Sequence, residues 1–242
     1  MSFDYSYHYR KWHNNSPAHE QEMISYYSSL FAEWFPKDKS ARILDVGCGM
    51  GFALSTLRHL GYLHAEGIDM DPGQVSAAKE RGLNVTLASD TEAELASRAG
   101  LYDQILALDL LEHIPMQAQI PFVEHIVGAL KPGGSFLCTV PNASSGIAGR
   151  WRYIDWTHHC SFTEHSLDFL LHTGGFADIQ VLALGSLKKP KLWWLPIGGS
   201  RHYWAYRLVR FFRRIEMMAE LGPAQGRSVP LTLNLLGVAR KK

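Results

Sequence analysis

Apolar residues recur along this chain with two alternating periods. Short apolar runs at 42–46 (RILDV), 63–69 (LHAEGID), 83–88 (LNVTLA), 102–109 (YDQILALD) and 134–142 (GSFLCTVPN) read as buried strands. Between them, apolar positions three and four apart predict helices over 52–60, from Pro72 onward, over 91–99 and over 118–130. Proline is tolerated in a first helical turn, so Pro72 marks a start rather than a break. A helix over 164–173, stopped by Gly174-Gly175, precedes strands at 177–184 and 231–240. Upstream, 17–35 places Met23, Tyr26, Tyr27, Leu30, Phe31 and Trp34 at helical spacing. Strands alternating with helices predict an α/β fold, with a seven-stranded, mostly parallel sheet covered on both faces. The crossovers are expected to be right-handed.

Composition narrows the class. The 242 residues are 46% hydrophobic, 12% aromatic and 19% charged, which suits one packed domain and excludes global disorder. We expect an N-terminal helical cover over 1–38 and a main domain over 39–242, interrupted by an insertion at 186–229. Cys48, Cys138 and Cys160 are odd in number and widely spaced, which argues against a disulfide framework and for a reducing cytosol. The opening stretch has no apolar core, so no signal peptide is expected, and no apolar run is long enough to span a bilayer. The net charge of +1 conceals an asymmetry. Acids exceed bases before residue 186, whereas from there onward Glu216 and Glu220 are the only acids among many Lys and Arg.

The stretch ILDVGCGMG (43–51) is the most informative. An apolar strand ends near Asp45, then Gly47, Cys48, Gly49 and Gly51 lead into a helix. Ligands of open α/β sheets bind at the carboxyl ends of the strands. Glycine lets backbone approach such a ligand without a Cβ in the way. The G-x-G-x-G spacing differs from the G-x-G-x-x-G of dinucleotide sites and suits a small ligand lying across the turn. Three further stretches follow in order: GIDMD (67–71), YDQILALDLLEHI (102–114) and LKPGGSFLCTVPN (130–142).

Together these four motifs resemble those of class I S-adenosylmethionine-dependent methyltransferases, over about residues 40–185. The resemblance implies a Rossmann-like sheet and S-adenosylmethionine as cofactor. It implies that backbone at Gly47, Cys48 and Gly49 meets the methionine part, with Asp45 nearby. It assigns Asp69 to both ribose hydroxyls, for which a carboxylate has the acceptors. Met70 would pack on the adenine, Ser89 and Asp90 would meet its amino group, and Leu108, Asp109 and Leu110 would border the sulfonium. Asp71, just before Pro72, reads instead as a helix N-cap.

Methyl transfer to a hydroxyl also needs a base, and histidine is the usual one. His158, directly after Thr157 in DWTHHCSFT (155–163), is the first candidate, and His113 in LEHIP (111–115) the second. His159 and Asp155 accompany them. The loop and the helix after it resemble a sub-pattern of bacterial methyltransferases tied to surface-polysaccharide assembly. A related Thr-His pattern occurs in quinone-biosynthesis O-methyltransferases. The acceptor expected first is therefore a sugar hydroxyl of a glycan or glycolipid, with Arg150, Arg152 and Tyr153 as a clamp for an anionic sugar. The alternatives are a quinol or other phenolic small molecule, and a non-catalytic cofactor-binding interaction module. A sugar calls for polar, Arg-lined walls; a quinol calls for apolar ones. Glu112, His113, His158 and Asp155 lack regular ligand spacing, so no metal site is expected. Tyr5, Tyr7, Tyr9, Trp12 and His13 are expected to form a lid suited to a cation.

In the insertion, Trp204, Leu208, Phe211, Ile215 and Met218 follow helical spacing, with Arg207, Arg210 and Arg214 on another stripe. With Lys188, Lys189, Lys191, Trp193 and Trp194, this predicts peripheral contact of 188–218 with an anionic membrane. Packing on the domain or on a partner is the alternative. No nucleic-acid module is recognisable, so nucleic acid is not expected. The expected location is the cytoplasm, at the inner membrane face.

Overall fold

The structure, a computed structural model, describes residues 7, 9, 11–185, 190, 191, 194 and 199–242. Its strands are β1 (Ile43–Val46), β2 (Ala65–Asp69), β3 (Val85–Leu87), β4 (Tyr102–Leu108), β5 (Leu130–Pro141), β6 (Phe176–Leu184) and β7 (Asn234–Lys241). They form one seven-stranded sheet in the order β3-β2-β1-β4-β5-β7-β6. From β3 to β5 the pairs are parallel; β7 runs antiparallel between β5 and β6. The helices are α1 (Pro17–Phe31), α2 (Phe52–His59), α3 (Pro72–Glu80), α4 (Thr91–Ala96), α5 (Met116–Ala129), α6 (Ala148–Arg152), α7 (Glu164–Thr173), α8 (Gly199–Leu221) and α9 (Pro223–Ser228).

The period-2 geometry of a strand sends neighbouring side chains to opposite faces, and both faces are apolar here. Leu44, Ile105 and Phe136 pack on one face with Val123 and Ile126 of α5 and Leu167 and Leu171 of α7. Ile43, Leu106 and Leu137 pack on the other with Phe31 of α1, Leu57 of α2 and Ala78 of α3. Helix starts are capped by side chains: Ser16 accepts from His19 N–H, Asp71 from Gln74, Asp90 from Ala93 and Thr163 from Ser166. Each such cap contributes about 1 kcal/mol. Asp71 is thus the N-cap its position before Pro72 predicts.

Element ends shift by a few residues from the sequence expectation. α1 ends at Phe31 and β3 shrinks to three residues, while β5 starts at Leu130. The last shift has a cause: Leu130 already pairs with Tyr102, and an irregularity between Tyr102 and Gln104 absorbs the LKPGG turn.

Strand order reverses between β1 and β4, leaving a crevice at their carboxyl ends. The segment from Asn142 to Phe162 roofs that crevice and returns to the sheet, where Phe162 N–H donates to Pro141 O at 2.9 Å and Ala143 N–H to Phe162 O at 2.8 Å. Asn142 is fully buried, and its amide donates to Pro230 O and Thr232 O at 2.9 and 2.8 Å. Of the insertion, Lys188, Lys189 and Trp193 lie outside the described residues.

Candidate functional site

The glycine turn after β1 is built as its sequence requires. Gly47 and Gly49 sit at φ of 68° and 54°, the left-handed region that favours glycine. A Cβ on Gly49 would lie 2.7 Å from Gln74 Oε1 and 3.0 Å from Tyr9 Oη. Asp69, at the end of β2, closes on the turn: its Oδ2 accepts Gly49 N–H at 2.8 Å and its Oδ1 accepts Asp71 N–H at 2.8 Å. Cys48 turns its thiol under the loop toward Gly67, where glycine is needed because a Cβ would meet the sulfur at 2.7 Å.

Over this turn opens a cleft of about 1400 Å³. Gly47, Gly49, Asp69, Met70, Ser89, Asp90, Leu108 and Asp109 all line it. Asp45 and Cys48 face a smaller cavity of about 40 Å³ beneath, shared with Tyr9, Tyr27 and Leu108. Asp90 therefore faces the cleft while its side chain also caps α4. Of the aromatic segment, Tyr9, Trp12 and His13 line the cleft, Tyr7 is exposed and does not, and Tyr5 lies outside the described residues. His13 Nδ1 is 2.9 Å from His19 Nε2, and burial, then His19 and Arg81, lower its pKa to about 4.

The electrostatics favour a cation. Burial raises the pKa of Asp45, Asp69, Asp109 and Glu112, and takes Asp45 to about 8 with Asp69 adding to the effect. No lysine or arginine is among the described residues that line the cleft. A sulfonium-bearing ligand fits this set of carboxyls, whereas a pyrophosphate would find no counter-charge.

Beyond Asp109 the chain turns inward. Asp109 has φ of 51°, and this unusual backbone is held at several points. Its N–H donates to Thr139 Oγ1 at 2.9 Å, Thr139 donates to its Oδ1 at 2.9 Å, and Asn234 Nδ2 reaches the same oxygen at 3.4 Å. Asn234 in turn accepts from Trp151 Nε1 at 2.8 Å. Sequence patterns identified Asp109 but not Thr139, Asn234 or Gln74. Thr139 within β5, Asn234 at the start of β7 and Gln74 in the first turn of α3 carry no local signal for a place at the cleft.

Glu112, His113, Asp155 and His158 converge on one end of the cleft. The Thr157 hydroxyl donates to Asp155 Oδ1 at 2.7 Å, so its oxygen accepts from His113 Nδ1, 2.7 Å away. That arrangement holds the proton on Nδ1 and leaves Nε2 as the basic nitrogen. The His158 ring stands edge-on to His113 with centroids 4.6 Å apart, and its Nε2 is 4.0 Å from Glu112 Oε1. Glu112 is buried, and its Oε2 has no hydrogen-bond partner. Glu112, His113 and His158 each offer one ligand atom, all within 4.8 Å of one another, so the trio is able to hold a metal ion. His159 is not part of this group: its side chain is exposed and its backbone N–H donates to Glu112 O at 2.7 Å. Arg150, Arg152 and Tyr153 do not line the cleft either, and Tyr153 is 79% exposed.

Residues 15–181 match the methyltransferase domain family. The chain belongs to that family. In a methyltransferase domain of class I, the cleft over the glycine turn takes S-adenosylmethionine, and the carboxyls and Cβ-free turn described above fit it. The chain is 39% identical over 108 residues to the ubiquinone biosynthesis O-methyltransferase of Marinobacter nauticus, covering 42% of this chain and 44% of that protein. It is 33% identical over 114 residues to the protein of that name from Xanthomonas axonopodis pv. citri, covering 45% and 46%. The methyltransferase thus spans less than half the length of the curated relatives it matches. Among solved structures, a SAM-dependent methyltransferase from Archaeoglobus fulgidus superposes with a TM-score of 0.66 at 18% identity, over 92% of this chain and 94% of that one. Phosphoethanolamine N-methyltransferase 2 of Haemonchus contortus, in complex with S-adenosylmethionine, superposes with a TM-score of 0.55 at 16% identity, over 93% and 53%.

Proposed function

We propose that this methyltransferase O-methylates a phenolic ring, of the quinol type, rather than a sugar. The observation that carries the reading is the wall of the acceptor end: Met23, Tyr26, Leu110, Ile114, Phe122 and Trp151, with no lysine or arginine among the described lining residues. The arginines first expected to grip an anionic sugar lie outside. Curated relatives over part of the chain carry the name of ubiquinone biosynthesis O-methyltransferases, which supports the same class. The basic insertion would bring such an enzyme to the membrane face where apolar acceptors reside.

When bound, S-adenosylmethionine supplies an electrophilic methyl on a sulfonium. The chain's own task is mainly positioning. Backbone at Gly47 and Gly49 borders the methionine part, Asp69 takes the ribose hydroxyls, and Leu110 packs at the end of β4 against Gly47. His113 accepts the acceptor hydroxyl's proton at Nε2, because Thr157 and Asp155 keep Nδ1 protonated. Asp155 is a positioning residue in this scheme, and His158 fixes the face of the His113 ring.

A second reading rests on the same corner. Glu112, His113 and His158 would hold a divalent ion that lowers the pKa of the acceptor hydroxyl.

The test is transfer of labelled methyl to a catechol, to a hydroquinone and to a panel of monosaccharides. The phenols are expected to be methylated on oxygen and the sugars not; methylation of sugars alone would sink the proposal. His113→Ala is expected to lower kcat by about 10²–10⁴-fold, with S-adenosylmethionine affinity unchanged. Dialysis against EDTA separates the two readings. Unchanged turnover assigns the work to the His113 base, and loss recovered by Zn²⁺ or Mn²⁺, which suit two imidazoles and a carboxylate, assigns it to a bound ion.

A further inference from the structure

We propose that α8 is a docking helix that seats its apolar face in an anionic lipid surface. The helix runs 23 residues from Gly199 to Leu221, and its two buried side chains are Ser200 and Tyr203. Arg214 lies on that same side, and its guanidinium donates to Gly226 O and Val229 O at 2.6 and 2.8 Å. Arg210, partly buried, stacks over Tyr206 with 5.0 Å from guanidinium carbon to ring centroid. Arg210 and Arg214 therefore turn toward the body, whereas Arg207 is exposed and the apolar stripe faces out, the reverse of an ordinary helix packed by its apolar face. Trp204, Leu208, Phe211 and Ile215 occupy one outward stripe and are 48%, 57%, 59% and 42% exposed. Such a contiguous apolar stripe marks an interaction surface rather than a solvated one.

Charge decides what covers it. A second copy would bring two arginine-rich helices together, with only Glu216, already paired to Arg213 at 2.7 Å, and Glu220 as acids on each. Lipid phosphates supply a counter-charge for Arg207, which is exposed at the edge of the stripe. Trp194 and Trp204, both exposed, have the side chain that prefers the headgroup level. Among the described residues no helix is long and apolar enough to cross a membrane, so α8 would lie along the surface. This surface does not depend on which acceptor the cleft takes.

The experiment is co-sedimentation of the whole chain with vesicles of phosphatidylcholine alone and with a three-to-one mixture of phosphatidylcholine and phosphatidylglycerol. Binding is expected to the mixed vesicles only, weakening as salt rises. Leu208→Glu with Phe211→Glu is expected to cut the partition coefficient roughly tenfold or more, with thermal stability and S-adenosylmethionine binding intact. Equal binding to both vesicles, or to neither, would overturn the proposal. So would a dimer, seen by sedimentation velocity without lipid, that the same double substitution dissociates.

Discussion

Gly49 carries two demands at once. Its backbone occupies the left-handed region, and its N–H is held by Asp69 in a space where Gln74 and Tyr9 leave no room for a methyl group. Gly49→Ala is therefore expected to keep the fold while weakening S-adenosylmethionine binding at least tenfold, measured by calorimetry; unchanged affinity would show that the ligand lies elsewhere. At this scale the sequence was legible wherever a motif is local. Gly47 and Gly49 fall within one strand-turn-helix unit, and Asp69 and the Asp71 cap within the next, so each pair is marked by its local spacing. The support of Asp109 was not legible, because Asn234 is 125 positions away and pairs only through the tertiary fold. His159 illustrates the complementary error: adjacent to His158 in sequence, it is exposed and does not line the cleft.

Among the elements, α5 and α7 meet with almost no clearance. Gly174, which ends α7, has an ordinary φ of −73°, yet a Cβ there would stand 2.3 Å from Val123 Cγ1 of α5. Gly174→Ala is expected to destabilise the protein by about 1–3 kcal/mol through overpacking, read from the shift of the urea midpoint. A combined Val123→Ala should recover part of it. The sequence marks this glycine as a helix stop, which it is, but a stop signal says nothing about what packs against it. α8 shows the same limit. The period of its apolar stripe was plain, whereas the face turned to the body depended on Arg214 finding carbonyls on α9 and the residue after it.

For the molecule as a whole, the buried carboxyls of the cleft link stability to pH. Asp45 is held at a pKa of about 8 against an ordinary 3.8, so the folded apo-protein binds a proton more tightly than the unfolded chain. Its contribution is full below the unfolded value and is lost as pH rises through the folded one. The Tm of the apo-protein is expected to fall from about pH 4 to about pH 8, with Asp45→Asn flattening the slope. A cationic ligand favours the ionised carboxyl, so the Tm increment from S-adenosylmethionine should grow over the same range. A pH-independent Tm would remove Asp45 from this account. The order of strands and helices was readable throughout, since each buried strand is a continuous apolar run. What raises the pKa of the cleft's carboxyls was not, because burial is a property of the assembled sheet.

The antiparallel entry of β7 between β5 and β6 has a consequence for biosynthesis. The cofactor half of the cleft draws on residues 45–109, which leave the ribosome early and can pack as β1 to β4 form. Asn234, which steadies Asp109 and Trp151, sits on the strand that is made last. Because Asn234 reaches Asp109 of the cofactor half as well as Trp151 of the acceptor wall, neither half of the cleft is complete until that strand has entered the sheet.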